Sequence, residues 1–266
     1  MQIPAERWYQ AIYKRRSRRQ FSNKSLSGEH LDNICDFITE NNRRFQDVRT
    51  QVVMEEPEQV FKGVIGSYGK IRNAPAYLAF IGQADNPYVQ EQIGYMGEAV
   101  ILEATSLGLA TCWVGGFFKP EVAASQIALQ EREKVFAVTP LGYAPQDYSL
   151  REKVFSGLAQ SGNRKELLSM TTGLEQEQWP LWIQTALALA RLAPSAVNRQ
   201  PWTFTVEKDA VKVSVAGSQD THGISKRLDC GIAMLHLEVG AQYTGVEGAW
   251  EHLSSPDVAR FKVAAN

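Results

Sequence analysis

The sequence predicts an α+β fold, duplicated within one chain and built around two long buried helices. Three observations predict it. Residues 95–107 and 227–243 are apolar on most faces, the pattern of helices enclosed by protein. Short runs such as 76–81, 135–142, 203–207 and 211–215 have the length and the β-branched or aromatic content of strands. Gly94, Ala104, Gly108 and Trp113 recur as Gly231, Ala241, Gly245 and Trp250, all at one offset of 137 residues, on each long helix and its exit.

Length and composition allow this. A chain of 266 residues, 44% of them apolar, can build one large domain or two small ones with ample core. A formal net charge of -1 gives no global pull toward nucleic acid or a membrane surface. The three cysteines, Cys35, Cys112 and Cys230, are far apart and match neither a disulfide framework nor a zinc spacing. The first residues carry no apolar signal core, and no run reaches ~18 apolar residues. The expectation is a cytoplasmic protein with no membrane and no nucleic-acid partner.

In order, residues 5–16 read as a helix with Trp8 and Ile12 inward. It runs into Lys14-Arg15-Arg16-Ser17-Arg18-Arg19-Gln20-Phe21. Guanidinium groups flanking a hydroxyl can grip a phosphate; a solvated basic face reads equally well at this point. A second helix spans 27–40, with Ser27 as N-cap, His30 at the capping-box position, and Leu31, Ile34, Cys35 and Ile38 inward. Residues 52–54 read as a short strand. Gly63, Gly66 and Gly69 precede Lys70, but the spacing fails a P-loop, and Ile71 stands where Ser or Thr is required.

The first long helix ends at Gly108, a C′ glycine. Leu109 to Val114 then reads as strand, and Gly115-Gly116 lets a ligand approach the backbone. A helix over 120–129 and a strand over 135–142 follow. Residues 144–181 are polar and interrupted by Gly157, Gly162 and Gly173, which predicts a linker or long crossover. The tail from Ser254 carries no clear pattern.

The stretch Ala193-Pro194-Ser195-Ala196-Val197-Asn198-Arg199-Gln200-Pro201-Trp202 joins an alanine-rich helix, 183–192, to the strand 203–207. Pro194 suits a position at or past a helix end, and Pro201 drives Gln200 out of the α region. Helix, polar elbow and strand together can offer donors to a ligand edge; a structural turn is the plainer reading.

The duplication gives two halves, 1–155 and 156–266, expected to intertwine as one globular unit. Helix 31–40 and strand 52–54 correspond to helix 183–192 and strand 203–206. The basic Ser17 cluster belongs to the first half only and the Pro-Ser-x-x-Asn elbow to the second only. The histidines His30, His222, His236 and His252 lack ligand spacing, and His236 is expected as a satisfied core residue. No G-x-S-x-G, H-E-x-x-H or G-x-G-x-x-G occurs.

Taken together, Arg15-Arg16-Ser17-x-Arg19-x-Phe21, the 193–202 elbow and Gly108-Leu109-Ala110-Thr111-Cys112-Trp113-x-Gly115-Gly116-Phe117 resemble motifs of the nitroreductase family of flavoenzymes. The resemblance spans most of residues 10–205 and continues more weakly to Trp250. It implies a three-layer α/β/α fold with mixed and antiparallel sheets around long central helices. It also implies FMN as cofactor and NAD(P)H as transient co-substrate. Arg15, Arg16, Ser17 and Arg19 would hold the phosphate, ribityl chain and pyrimidine edge. Lys70 would lie near the ring, and Arg164 and Lys165 would close on the phosphate. Gly115 and Gly116 would present a backbone N–H to the ring, and Pro194, Ser195 and Asn198 would form the ring elbow. No amino-acid nucleophile or metal is implied, because the flavin carries the chemistry. The partner is a small-molecule electron acceptor.

The chain departs from the family in one respect. The elbow follows the first long helix instead of preceding it. That order resembles a fused pseudo-dimer subgroup, whose halves would build one complete FMN site and leave its symmetry mate dead; such a chain can act as a monomer. Two other readings remain: a flavin carrier or sensor with little turnover, and a degenerate fold serving as an interaction module.

Overall fold

The computed structural model describes residues 3–62, 70–145, 162–217, 220 and 223–264. The chain divides into two compact units. One holds Met1, Lys14–Val89 and Ala99–Gly162; the other holds Gln2–Tyr13, Gln90–Glu98 and Asn163–Asn266. The predicted boundary at 155/156, Gly63 to Gly69, Gly157 and His222 lie outside the described residues.

In the first unit, helix α2 (Gly28–Asn42) starts where Ser27 accepts the His30 amide N–H, as the cap signal requires. His30 does not return the bond. Its Nδ1 instead lies 2.8 Å from the Tyr143 hydroxyl. Ile34 and Ile38 of the predicted stripe are buried, together with Asn41. Strands β1 (Val48–Val53), β2 (Ala76–Gln83), β3 (Ala110–Thr111) and β4 (Glu133–Gly142) form an antiparallel sheet in the order β1-β2-β4-β3. Central β2 is buried from Ala76 through Gly82, which explains its unbroken apolar run. Tyr77, Ala79 and Ile81 pack against Val53, Val60, Phe61, Ala123 and Ile127 on one face. Phe80 meets the Trp113 ring at 4.6 Å.

The second unit carries β5 (Thr171–Gly173), β6 (Trp202–Val206), β7 (Ala210–Val215), β8 (Gly248–His252) and β9 (Asp257–Val263), ordered β5-β6-β7-β9-β8. Only β5 is parallel to its neighbour, β6. Helix α1 (Ala5–Lys14) buries Trp8, Ala11 and Ile12. Helices α5 (Leu181–Ala190) and α6 (Lys226–Tyr243) pack together in this unit, and α6 is buried without a break from Leu228 to Ala241. His236 has Nδ1 3.1 Å from the Leu189 carbonyl and Nε2 2.9 Å from Glu98 Oε1, the satisfied core residue expected.

The repeat is carried in the topology. Helix α3 (Val89–Ser106) and α6 have 18 residues each, and both ends differ by the offset of 137. Gly108 and Gly245 follow them at φ +78° and +81°, a left-handed stop that glycine adopts without strain. Matching bonds close both ends: Leu109 N–H to Ala104 O at 2.9 Å, and Val246 N–H to Ala241 O at 3.0 Å. The order β1-β2-β4-β3 is repeated as β6-β7-β9-β8, with a register shift in the β2/β4 ladder and another in β7/β9.

Several boundaries differ from the sequence reading. Strand β1 begins at Val48 and stops before the exposed Met54. Helix α1 stops at Lys14, and α4 (Pro120–Ser125) is shorter than 120–129. The strand expected over 109–114 shrinks to β3, followed by a Val114–Val138 bridge. Part of the expected linker, Thr171–Gly173, is an edge strand. The tail is the largest correction: β9 lies between β7 and β8 and buries Val258, Ala259 and Phe261.

Candidate functional site

In the first unit, the basic motif leaves α1 as an extended ribbon. Ser17 bridges Thr111 of β3, and the Arg18 N–H donates to the Thr111 carbonyl at 2.9 Å. On the other side, the Arg72 N–H donates to Arg19 O and the Phe21 N–H to Arg72 O, both at 3.0 Å. Phe21 is buried and anchors the ribbon. The segment 15–21 is therefore stitched between β3 and the strip that starts at Lys70. Arg15 is buried; Arg16 and Lys70 are exposed. Arg16 donates to the Arg15 carbonyl and Arg18 to the Pro145 carbonyl, each at 2.8 Å. Gly115 and Gly116 follow the Val114–Val138 bridge, four and five positions past Thr111. Ser17 and Arg18 are thus fixed beside β3 and Arg19 beside Arg72, with Gly115 and Gly116 on the segment that leaves the Val114–Val138 bridge. Four guanidinium groups and a hydroxyl along five residues suit a dianionic phosphate by charge and by donor number.

In the second unit, the elbow is an irregular, heavily bonded turn. Val197, Asn198 and Gln200 have φ of 50°, 55° and 45°. For β-branched Val197 in particular this is a costly conformation, which persists only where the surroundings enforce it. Those surroundings are named contacts. Ser195 Oγ accepts the Gln200 N–H at 2.9 Å, and the Asn198 N–H donates to the Ser195 carbonyl at 3.0 Å. The Asn198 amide nitrogen donates to the Asn163 carbonyl at 3.0 Å. Arg164 donates to Asn198 Oδ1 at 3.2 Å and to the Leu192 carbonyl at 3.1 Å. Lys165 gives its backbone N–H to Gln200 Oε1 at 2.8 Å and its Nζ to the Gln200 carbonyl at 2.9 Å. The structure therefore ties Arg164 to Asn198 and Leu192 and Lys165 to Gln200, with both cationic heads bonded at the elbow.

Two residues of this framework carried no functional signal in the sequence. Asp229, on the first turn of α6, takes the Ala196 N–H at 3.1 Å and the Arg199 Nε at 2.7 Å. Burial pushes its carboxyl up to about 6 against the opposing pull of Arg199. Arg199 also donates to the Ile224 carbonyl at 3.0 Å. An acidic residue in a first helical turn is favourable on its own account, and that hides the second task. Among the described residues, no group of His, Cys, Asp and Glu could hold a metal ion, and no helix is long and apolar enough to cross a membrane.

A protein-family model described as "Putative TM nitroreductase" matches residues 7–241. The crystal structure of a "putative nitroreductase" from Thermotoga maritima MSB8 superposes with a TM-score of 0.63 at 19% identity. That match covers 96% of this chain and 93% of the other. A nitroreductase family protein from Clostridium difficile 630 gives a TM-score of 0.45 at 20% identity, over 63% of this chain and 96% of its own. A nitroreductase with bound FMN from Bacteroides fragilis NCTC 9343 gives 0.43 at 21%, over 54% and 91%. No curated protein sequence matches the chain.

Proposed function

The chain belongs to the TM nitroreductase family, and from that premise we propose an FMN-dependent oxidoreductase that takes reducing equivalents from NADH or NADPH and passes them to a small acceptor, a nitroaromatic, quinone or flavin. The observation that carries the reading is the family match over residues 7–241, joined by two motifs whose chemistry suits a flavin nucleotide. A guanidinium and hydroxyl ribbon at Arg15–Arg19 suits the phosphate. An enforced elbow at Ser195–Gln200 suits the edge of a planar ring, where a rigid donor set loses little entropy on binding.

Bound FMN would supply two-electron chemistry between donor and acceptor. The residues of the chain would bind and orient. Arg15, Arg16, Ser17 and Arg19 would hold the phosphate and the polar chain with charge-assisted hydrogen bonds. Positive charge close to the ring would stabilise electron density arriving there. The Gly115-Gly116 backbone would allow close approach. Pro194, Ser195 and Asn198 would set the ring edge, with Arg164 and Lys165 bracing them.

One FMN per chain follows on this reading. The β3–β4 connection, 112–132, carries Gly115-Gly116 and α4; the β8–β9 connection is only 253–256. The second copy has no loop to lie beside a second ring. A chain that carries both motifs needs no second subunit to supply either, and a monomer is expected.

Reconstitution with FMN should give a yellow protein with one flavin per chain, bleached in stopped flow by NADH or NADPH and reoxidised by an acceptor. Flavin bound but not bleached by either nicotinamide would turn the reading to a carrier or sensor. Two flavins per chain would remove the single-site assignment.

A further inference from the structure

We propose that Asp229 is the positioning residue of the elbow: it sets the backbone shape of residues 195–200 and, through that shape, the affinity for the flavin ring. The second half of this statement rests on the FMN reading; the first does not.

The argument begins with strain. Three non-glycine residues at positive φ within four positions make a conformation the elbow would leave if released. Most of the bonds that hold it come from the turn itself or from the neighbouring chain at 163–165. Asp229 is different, because it reaches the elbow from the N-terminus of a long buried helix. Its two carboxylate oxygens both lie within 3.3 Å of the Ala196 N–H. Oδ2 also takes the Arg199 Nε, while the other end of the Arg199 guanidinium is tied to Ile224, just before the Ser225 N-cap. One carboxylate therefore locks both flanks of the Val197-Asn198 pair onto α6. The Asp229 side chain is 3% exposed and that of Arg199 10%, so water cannot replace either partner cheaply.

The copy relationship supports this role. The residue 137 positions earlier is Gln92 on α3, in the half that has no elbow. The carboxylate occurs where the elbow occurs.

The clamp also responds to protons. The charged groups acting on Asp229 are Arg199 on the elbow, which pulls its carboxyl down, and Asp220 ahead of α6, which pushes it up. Burial raises the Asp229 carboxyl to about 6 in the closed elbow, so opening, which exposes it, becomes less favourable as pH falls from 7 to 5 and more favourable as pH rises.

The test has two readouts on the full chain. The first is the hydrogen-exchange protection factor of the Ala196 amide at pH 5 and 7 in wild type, Asp229→Asn and Asp229→Ala. The second is binding of riboflavin, which lacks the phosphate that itself titrates near pH 6. Expected are at least tenfold loss of Ala196 protection and of riboflavin affinity at pH 7 in Asp229→Ala. Asp229→Asn, which keeps one acceptor, should fall between and show no change in Ala196 protection between pH 5 and 7, whereas wild type gains protection at pH 5. If Asp229→Ala does not fold, Asp229→Asn against wild type carries the comparison. Unchanged Ala196 protection in the variants, or a pH step that survives in Asp229→Asn, overturns the clamp. Wild type that binds no flavin while Ala196 protection still follows Asp229 leaves the clamp standing and overturns the FMN reading instead.

Discussion

Gly94 and Gly231 are counterparts in the two copies, and each is pressed against the other's helix. A Cβ on Gly94 would run into the Leu228 carbonyl of α6, and a Cβ on Gly231 into the Glu91 carbonyl of α3. Leu228 and Glu91 are themselves 137 positions apart, so the contact is reciprocal in the manner of a two-fold interface. Both obstacles are backbone, which cannot swing aside. Gly94→Ala and Gly231→Ala should each destabilise the protein by roughly 1–3 kcal/mol, despite the helix propensity gained. Urea unfolding measures it. Because both variants force open one crossing, the double variant should cost less than the sum of the singles.

That reciprocity was partly legible in the sequence, and the reason is physical. Close helix crossings and left-handed helix stops admit little but glycine, so Gly94/Gly231 and Gly108/Gly245 kept their identity and spacing while their neighbours diverged. The basic ribbon and the elbow stood out for a similar reason: a run of guanidinium groups, and a proline-bounded turn rich in Ser and Asn, are unlike ordinary helix or strand sequence. Strand β9 was not. The register shift opposite Val213/Ser214 places Val258 and Ala259 inward in succession before Phe261, which erases the alternation that marks a strand. Strand β5 is three residues of Thr-Thr-Gly, too short for any period. The Asp229 clamp was invisible because its partners are 30 and 33 positions away.

Glu238 accepts hydrogen bonds from Tyr95, Trp250 and Gln242, at 2.7, 2.7 and 3.1 Å. Burial raises its carboxyl above the usual range, and these three bonds only partly oppose that. A folded-state value above the unfolded one gives stability that is present at low pH and lost as pH rises through the folded value. Glu238→Gln removes that loss. Its carbonyl can still accept from Tyr95 and Trp250, and a flipped Gln242 can accept from its amide. The variant should therefore gain on wild type as pH rises from 5 to 8, read as the difference in urea midpoints at the two ends.

Arg199 lies beside a carboxylate that is fully enclosed, so its removal strands a charge. Arg199→Met should cost about 3–5 kcal/mol at pH 7, the range for breaking a buried pair from one side. Arg199 is also what pulls Asp229 down, so without it the carboxyl takes a proton more readily. The cost should shrink at pH 5, where a neutral Asp229 needs no cation. A cost equal at both pH values would mean that lost packing of the arginine, not the stranded charge, dominates.

On the proposed reading, the basic ribbon serves a phosphate and the elbow a flavin ring, and comparing FMN with riboflavin separates the two roles. Arg16→Ala removes an exposed charged donor of the ribbon, which on this reading is assigned to the phosphate. It should weaken FMN by roughly 10- to 100-fold, the value of a hydrogen bond to a charged group, and leave riboflavin nearly unchanged. Asn198→Ala removes neutral donors and acceptors at the ring end, and also the bonds to Asn163 and Arg164 that shape the turn. It should weaken FMN and riboflavin alike, by roughly 3- to 10-fold. Since the two side chains would share no partner, the double variant should be additive in free energy to within about 0.5 kcal/mol. Fluorescence titration of the apoprotein measures all of these. Arg16→Ala weakening both ligands equally would place the basic ribbon somewhere other than at the phosphate.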